Sequence, residues 1–418
     1  MGAGTGRDSP TGPQAGTHAV KLVGLELVRL DVPFRVDIGT AAGVHRTRRL
    51  LFVRVVTADS EGWGECAALG EGTSVDPRVD EVQAAVHARG VQRVLDATAA
   101  RGGLLPKEAE IAPLFGSSPV DRMMGALFEM AVADAELRLS GRSLAAALDV
   151  GPGFETLPVG AAVGIPPGHD LGILREQARE AVAGGAARLR VKIEPGWDTE
   201  PVSAIRADHP DLVIQVDANG SYRMEDAERV GALAAFDVLC IEQPLPPADL
   251  VALAEFARRI PVPVCLDESL TSPRRVRDAL RNRSCQIACL KPARLGGVRA
   301  ARLAHAACAE AGVPVFVGGF FEAGLGRAAN LALAARLAQD RAGLVNDVSA
   351  PSSYLAADPC GYPEVQAGWV RVPDQPGVGQ WPGQGPGQQP GQGPGQQPGP
   401  GTPASLDAQR RWFPATYT

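Results

Sequence analysis

The fold is decided within residues 188–292, which contain RLRVKIE (188–194), LVIQVDAN (212–219), DVLCIEQ (237–243), VPVCLDES (262–269) and CQIACLKP (285–292). Each of these runs is short and apolar, and helical patterns alternate with them. Continuous apolar strands that alternate with helices are typical of a parallel sheet buried on both faces. The segment therefore predicts an α/β fold built from repeated βα units.

Similar runs lie on both sides of this segment and extend the pattern. They are LPVGAAVGI (157–165), VPVFVGGF (313–320) and a weaker one, GLVNDV (343–348). Seven or eight such units favour a closed (β/α) barrel, which we expect to occupy residues 151–379. A doubly wound Rossmann sheet is the structural alternative, but no GxGxxG motif follows an early strand.

The region before the barrel has a different pattern. Three stretches have strand character, namely Leu22–Val32, Arg49–Thr57 and Glu61–Ala67. Helical periodicity follows in Val79–Leu95 and Val120–Leu139. Strands followed by helices predict an N-terminal α+β domain over residues 20–150. Between the first two strands, Pro33–Val44 contains glycine and is expected to form a mobile loop.

The two ends of the chain carry no pattern of a packed core. Pro382–Gly401 consists only of proline, glycine and glutamine, a composition that stays extended and solvated. We therefore predict a disordered tail over residues 380–418. Residues 1–19 lack hydrophobic periodicity and are predicted to be disordered as well.

Composition excludes several classes of partner. A net charge of −6 gives no basic excess to drive binding to nucleic acid or to an anionic membrane. No apolar run has the length of a membrane span, and the N-terminus lacks the apolar core of a signal peptide. The seven cysteines are scattered, which is typical of reduced, buried thiols. These features predict a cytoplasmic protein.

The charged residues that end the strands recur at a nearly constant interval. Lys192, Asp217, Glu242, Asp267 and Lys291 follow one another at spacings of 25, 25, 25 and 24 residues. One βα unit of a barrel has about this length, so all five should lie at the same level. That level is the C-terminal mouth of the barrel, where the active sites of such barrels are assembled.

Three adjacent strands deliver Asp217, Glu242 and Asp267 side by side. Carboxylates this close repel one another unless a cation neutralises them, and oxygen ligands suit Mg²⁺. A salt-bridge network with Lys192, Lys291 and Arg190 is the alternative. Asn219, two residues after Asp217, would face the same way, whereas Glu268 would face away from Asp267 unless the strand has ended.

Lys192 and Lys291 belong to the second and sixth strands, which lie on opposite sides of an eight-stranded barrel. The three carboxylates lie between them. This arrangement fits the removal of a proton next to a substrate carboxylate, where a metal holds the negative charge and a lysine accepts the proton. That lysine must be neutral, which nearby cationic groups favour.

Several motifs of the chain resemble those of the enolase superfamily. They are RVKIEPGWD (190–198), VDANGSY (216–222), IEQPL (241–245), CLDES (265–269), LKPARLGG (290–297) and GGFFEAGLGRAAN (318–330). Within the superfamily the chain is most similar to o-succinylbenzoate synthases and N-acylamino acid racemases, from about Lys21 to Gly379. The resemblance implies a barrel of the enolase type with an N-terminal capping domain, whose loop Pro33–Val44 closes over substrate.

The resemblance also implies roles for individual residues. Lys192 would be the acid/base catalyst and Lys291 the lysine opposite it, with Asp217, Glu242 and Asp267 as ligands of Mg²⁺ or of Mn²⁺ as a substitute. Four residues are expected to contact a small carboxylate substrate: Arg190, Asn219, Gly319 and Glu322. Arg190 replaces the first lysine of the family's KxK motif, which keeps the charge but changes the hydrogen-bonding geometry.

Two reactions are compatible with these roles. In a synthase, a hydro-lyase of menaquinone biosynthesis, the resemblance implies syn dehydration of 2-succinyl-6-hydroxy-2,4-cyclohexadiene-1-carboxylate through an enediolate. In an N-acylamino acid (N-succinylamino acid) racemase, both lysines would exchange protons, one on each face of the substrate. A non-catalytic barrel that binds a ligand is the third alternative. Barrels of this kind often associate, so a homo-oligomer is also open.

Overall fold

The N-terminal region is an antiparallel sheet covered by helices. The computed structural model describes residues 20–40, 43–340, 344–383 and 409–416. The first strands are β1 (Leu22–Thr40), β2 (Gly43–Thr57) and β3 (Glu61–Cys66). The helices that follow are α1 (Val79–Ala85), α2 (Val91–Ala99), α3 (Glu108–Ile111), α4 (Pro119–Leu139) and α5 (Leu144–Ala147). A π-helical turn, Val86–Gly90, joins α1 to α2.

The two faces of this sheet enter different cores. Leu27 and Val53 pack with α1, α2 and α4, so that this face is covered within the N-terminal region. Phe52 and Trp63 belong instead to the core that runs through the barrel. Ser118 caps α4 by accepting the backbone N–H of Asp121, which fixes where this long helix begins. The sheet is therefore a layer between its own helices and the barrel.

The barrel alternates strands and helices along the chain. A short strand outside the barrel sheet, β4 (Thr156–Pro158), comes first. The barrel strands are β5 (Gly160–Val163), β6 (Arg188–Lys192), β7 (Val213–Asp217), β8 (Ile241–Glu242), β9 (Val264–Leu266), β10 (Ile287–Leu290) and β11 (Val315–Val317). Its helices are α6 (Leu171–Ala183), α7 (Thr199–Asp208), α8 (Ala227–Gly231), α9 (Leu250–Arg259), α10 (Pro273–Asn282), α11 (Pro292–Leu295), α12 (Val298–Ala311) and α13 (Gly324–Asp340).

Five 3₁₀ turns and three further strands complete the described elements. The turns are Ala112–Leu114, Pro167–His169, Met224–Asp226, Ala232–Phe236 and Pro351–Ser353. The strands are β12 (Val365–Gln366), β13 (Trp369–Arg371) and β14 (Gln409–Pro414). The pair β12 and β13 joins β4 in a three-stranded sheet.

Seven strands, β5 to β11, form one parallel sheet in which each strand lies beside its neighbour in sequence. The weak eighth run closes the ring without forming a regular strand. Asn346 makes a parallel bridge to Val159 and accepts the backbone N–H of Gly160, while the N–H of Asp347 donates to the carbonyl of Val317. The predicted barrel with its N-terminal α+β layer is confirmed.

One prediction about a loop is corrected by the structure. The stretch Pro33–Val44 is not a loop, because β1 continues to Thr40 and β2 begins at Gly43. After a register shift between Pro33 and Ile38, the strands pair again at Ile38 and His45, so the pair forms one long hairpin. The tip, residues 41–42, lies outside the described residues. The hairpin contacts the barrel where the N–H of Arg35 donates to the carbonyl of Tyr354 over 2.9 Å.

The predicted disordered tail, residues 380–418, is wrong at its two ends. The guanidinium of Arg138 lies over the ring of Trp381 at 4.1 Å, and β14 pairs antiparallel with β1 from Gly24 to Arg29. The strand forms because an open sheet edge offers unpaired backbone groups to any segment that can extend along it. Residues 384–408, with most of the Pro/Gly/Gln stretch, and residues 1–19 lie outside the described part of the chain.

All seven cysteines are free and buried, as predicted. Among the described helices, none combines the length and the apolar character needed to cross a membrane.

Candidate active site

The structure brings the five regularly spaced charged residues together at the C-terminal ends of adjacent strands. Lys192, Asp217 and Glu242 are neighbours in register across β6, β7 and β8. Asp267 follows the end of β9, and Lys291 lies between β10 and α11. The five residues thus lie together at the C-terminal mouth of the barrel, where their spacing in the sequence places them.

Lys192 is held on one side of the mouth by two oxygen atoms. Its Nζ donates to Oδ2 of Asp217 over 2.6 Å and to Oδ1 of Asn219 over 2.5 Å. The amide nitrogen of Asn219 then donates to Glu268 over 2.9 Å. Glu268 therefore faces the mouth together with Asp267, because β9 ends at Leu266 and strict alternation no longer applies beyond it.

Lys291 lies on the opposite side and is more enclosed. Its Nζ donates to Oδ2 of Asp267 over 2.7 Å and lies 4.7 Å from the ring centre of Phe320. Burial alone would lower the pKa of Lys291, but the charge of Asp267 outweighs it and raises the pKa overall. The carboxylate and the aromatic face both favour an ammonium group here.

Asp267 has a second cationic partner, Arg294. The guanidinium donates to Oδ1 of Asp267 over 2.5 Å and to its backbone carbonyl over 3.0 Å. The same guanidinium binds Asp76 of the N-terminal region through two hydrogen bonds of 2.8 and 2.7 Å. Burial would raise the pKa of Asp267, but Arg294 and Lys291 lower it overall. Arg294 thus connects the cap to a predicted metal ligand.

Arg190 lies in the barrel interior among three carboxylates. It is 2.7 Å from Asp347, 3.4 Å from Glu242 and 3.9 Å from Asp217. Burial would lower the pKa of Arg190, but Asp347 and then Glu242 raise it well above its ordinary value. Arg188, one layer deeper, binds the other oxygen of Asp347. Arg190 is therefore a fixed cation beneath the predicted metal ligands.

The carboxylates suit a hard divalent cation. Burial, and then the charge of Asp217, raise the pKa of Glu242 to about 8. Its Oε1 is buried without a hydrogen-bond partner, although Oε2 accepts from Gln215. A cation would neutralise the repulsion between the carboxylates and give Oε1 of Glu242 a binding partner. Asp217, Glu242 and Asp267 are the residues that would hold it.

The structure places Gly319 and Glu322 in the segment after β11. The carboxylate of Glu322 is buried, lies 3.2 Å from Arg327 and accepts from Asn330 over 3.0 Å. A Cβ atom on Gly319 would lie 2.6 Å from Arg327 and 2.8 Å from Glu322. Their contact with substrate stays a prediction, as does that of Asn219 and Arg190.

Sequence reasoning missed two residues that hold the site, Asp347 and Arg294. Asp347 is the next-to-last residue of the weak run GLVNDV (343–348), so a search for charged residues near the ends of the apolar runs could have found it as well. Arg294 lies in the quoted stretch LKPARLGG but not at a strand end. Nothing in the spacing links it to Asp76, because that contact joins residues 218 positions apart.

Comparison with known proteins agrees with this geometry. Residues 174–382 match the family described as enolase C-terminal domain-like. The chain is 38% identical to an N-succinylamino acid racemase from an Amycolatopsis species, over 87% of this chain and 95% of the relative. It is 34% identical to an o-succinylbenzoate synthase from Geobacillus kaustophilus, over 86% of this chain and 93% of the relative.

A solved structure shows the same fold. An enolase superfamily member from Listeria innocua superimposes with a TM-score of 0.78 at 28% identity, over 87% of this chain and 95% of the other. The family match, the relatives and the arrangement at the barrel mouth lead to one conclusion. The chain belongs to the enolase superfamily.

Proposed function

We propose that the protein is an o-succinylbenzoate synthase. It would catalyse the Mg²⁺-dependent syn dehydration of 2-succinyl-6-hydroxy-2,4-cyclohexadiene-1-carboxylate in menaquinone biosynthesis. The observation that supports this reaction best is the asymmetry of the two lysines. Lys291 is fixed between a carboxylate and an aromatic ring, whereas Lys192 is more exposed and bound partly by an amide.

The asymmetry matches the needs of a dehydration that uses one face of the substrate. Lys192, as the neutral amine, would remove the α-proton, and the resulting ammonium would return that proton to the departing hydroxide as water. Lys291 would remain an ammonium and stabilise the enediolate from the other side. A bound Mg²⁺ would supply positive charge against the substrate carboxylate.

Arg190 and Arg294 support this chemistry from below and from the side. Arg190 would supply positive charge beside Glu242 and Asp217 in the buried interior, since its guanidinium lies 3.4 and 3.9 Å from them. Arg294 would orient Asp267 through the carboxylate and the backbone carbonyl together. Neither residue needs to exchange a proton with the substrate.

N-succinylamino acid racemase activity is the second candidate. The observation that favours it is the position of the lysines on opposite sides of the carboxylates, which allows one face of an α-carbon to lose a proton and the other to gain one. The Amycolatopsis relative at 38% identity is such a racemase. This reaction requires Lys291 to act as a base as well. Burial lowers the pKa of Lys291, but the charge of Asp267 raises it overall, and this opposes such a role.

A pair of assays on one variant separates the two reactions. Purified protein with Mg²⁺ should convert the cyclohexadiene carboxylate to the aromatic product, followed by ultraviolet absorbance. Lys291→Arg keeps a cation and should retain part of this turnover, whereas it should abolish exchange of the α-hydrogen from one enantiomer of an N-succinylamino acid in deuterated water. Lys192→Ala should abolish both. Absence of aromatic product from the wild-type protein would refute the synthase proposal.

A further inference from the structure

The barrel interior beneath the mouth contains thiols that the proposed reaction does not use. Cys240, Cys265 and Cys289 form a small core cluster with Phe316 and Ile287. Cys289 is nearest to the catalytic groups, because it lies two residues before Lys291, and alternate residues of a strand face the same way. It is 1% exposed and free.

Cys289 lies beside two of the predicted Mg²⁺ ligands. Its Sγ and one carboxylate oxygen from each of Glu242 and Asp267 all lie within 4.8 Å of one another. Glu242 is 0% exposed, and its Oε1 has no hydrogen-bond partner. Asp217, the third predicted ligand, is bound by Lys192. The ligand set at this point is therefore two oxygens and one sulfur.

We propose that this cluster is a second metal-binding arrangement, in which Cys289, Glu242 and Asp267 bind a thiophilic divalent cation such as Zn²⁺ or Cd²⁺. Mg²⁺ prefers oxygen ligands and would leave the sulfur unused. Zn²⁺ accepts sulfur and carboxylate oxygen at about 2.0–2.3 Å, so small side-chain rotations would bring the three atoms to one ion. The thiol proton leaves to solvent as the sulfur–metal bond forms.

Binding in this arrangement would inhibit the enzyme. The ion would compete with Lys291 for Asp267, which the ammonium now contacts at 2.7 Å. It would also compete with Mg²⁺ for Glu242 and Asp267. The proposal does not depend on whether the enzyme is a synthase or a racemase, because both reactions would need the same carboxylates.

The test measures metal binding and does not depend on enzyme activity. Full-length protein free of metal is titrated with Cd²⁺ while the ultraviolet charge-transfer band of a sulfur–cadmium bond is recorded. The wild-type protein should develop this band and reach saturation at one ion per chain. Cys289→Ser should lose the band, and Cys308→Ser, which removes a buried thiol on α12, should keep it. A band that survives Cys289→Ser, or no band in the wild type, overturns the proposal.

Two further measurements test the shared carboxylates. Excess Mg²⁺ should suppress the band, and Glu242→Gln should weaken Cd²⁺ binding. A band that is insensitive to Mg²⁺ would place the thiophilic ion elsewhere and overturn the assignment. Circular dichroism of Cys289→Ser establishes that a lost band reflects a lost ligand, and Cys289→Ala serves as the second variant if the serine protein does not fold. Failure of this titration leaves the synthase assay unaffected.

Discussion

Gly318 lies directly against the side chain of Lys291. A Cβ atom at Gly318 would be 3.0 Å from Cε and 3.1 Å from Cγ of Lys291, and 2.5 Å from Sγ of Cys289. Real Cβ atoms essentially never approach a neighbour as closely as 2.5 Å. The side chain of Lys291 can therefore extend towards Asp267 only because the residue after β11 is a glycine.

We predict that Gly318→Ala lowers turnover while the fold is retained. The added methyl group must push Cys289 or Lys291 aside, which costs about 1–3 kcal/mol of stability as overpacking. Displacing a catalytic group by about 1 Å can reduce the rate roughly 100-fold. Steady-state kinetics and thermal unfolding of the variant check both parts. Unchanged turnover would show that Lys291 reaches the substrate by another path.

Gly125→Ala is the matched control for that substitution. Gly125 lies within α4, where the nearest atom to an added Cβ is 3.6 Å away, an ordinary contact. Alanine in a helix interior is more favourable than glycine by about 0.5–1 kcal/mol, so this variant should be slightly more stable with normal turnover. If Gly125→Ala also lost activity, the loss in Gly318→Ala could not be attributed to displacement of Lys291.

Arg294 is predicted to control metal affinity through Asp267. Arg294→Lys keeps a positive charge but cannot reproduce the fork that binds Asp76 and Asp267 together. Loss of a partner that orients a metal ligand typically lowers metal affinity about 10–100-fold. The Mg²⁺ concentration that gives half-maximal turnover should therefore rise, and the Mg²⁺ affinity measured by calorimetry should fall by a similar factor.

The control is Arg54→Lys, since Arg54 pairs with Glu61 and Glu26 on the cap sheet. It should leave Mg²⁺ affinity unchanged. If Arg294→Lys lowers only the unfolding temperature and not the Mg²⁺ affinity, Arg294 joins the cap to the barrel without influencing the metal site.

The barrel and its charged mouth could be predicted because both depend on local periodicity. Apolar strands recur along the chain, each with a charged residue at its C-terminal end. Because the repeating units have nearly equal lengths, these charged residues lie at the same level of the barrel. Lys192, Asp217 and Glu242 accordingly lie in register. The eighth run gave only a weak apolar signal, because it closes the ring by a single bridge at Asn346 and not by a regular strand.

The missed features arise from contacts between distant parts of the chain. Asp76 and Arg294 meet only after the cap packs on the barrel, and no spacing rule encodes that packing. β14 pairs with β1 although a Pro/Gly/Gln stretch separates β14 from the barrel. The hairpin was missed because glycines in Pro33–Val44 resemble a loop, while strand pairing resumes beyond an irregular segment.

Removal of Gln409–Thr418 is predicted to lower stability and leave turnover nearly unchanged. β14 is the outermost strand of its sheet, in the order β14-β1-β2-β3, and its loss would expose the edge of β1. An unpaired edge promotes association between chains. Thermal unfolding and light scattering of the truncated protein measure the two effects.

A point variant separates the backbone pairing of β14 from its surface charge. Arg410→Ala removes only an exposed ion pair of 3.2 Å with Glu26 and should change stability by less than about 0.5 kcal/mol. A large loss of turnover on truncation, with folding intact, would instead mean that the strand supports the active site.

We predict that Glu65 makes the stability of the protein depend on pH. It is buried between the cap and the barrel, where its oxygens accept the N–H groups of Ala323 and Gly326 over 2.7 and 2.8 Å. Burial raises its pKa from 4.5 to about 8, against the opposing charge of Arg48. The folded protein therefore keeps a proton on this group at pH values where the unfolded chain has lost it.

The sign of the effect follows from proton binding. Between pH 4.5 and about 8 the folded state binds more protons than the unfolded state, so the free energy of unfolding should fall as pH rises through this window and then level off. Glu129, whose pKa is also raised to about 8 by burial, contributes in the same direction. Glu65→Gln should make the decline between pH 5 and pH 8 shallower without removing it.

Urea unfolding at a series of pH values measures this slope directly. Glutamine can accept only one of the two backbone N–H groups, so the Glu65→Gln protein is expected to be less stable than wild type at low pH, with the difference narrowing as pH rises. Parallel profiles for the two proteins would show that Glu65 ionises in the folded state at its ordinary pKa, with Arg48 compensating for its burial.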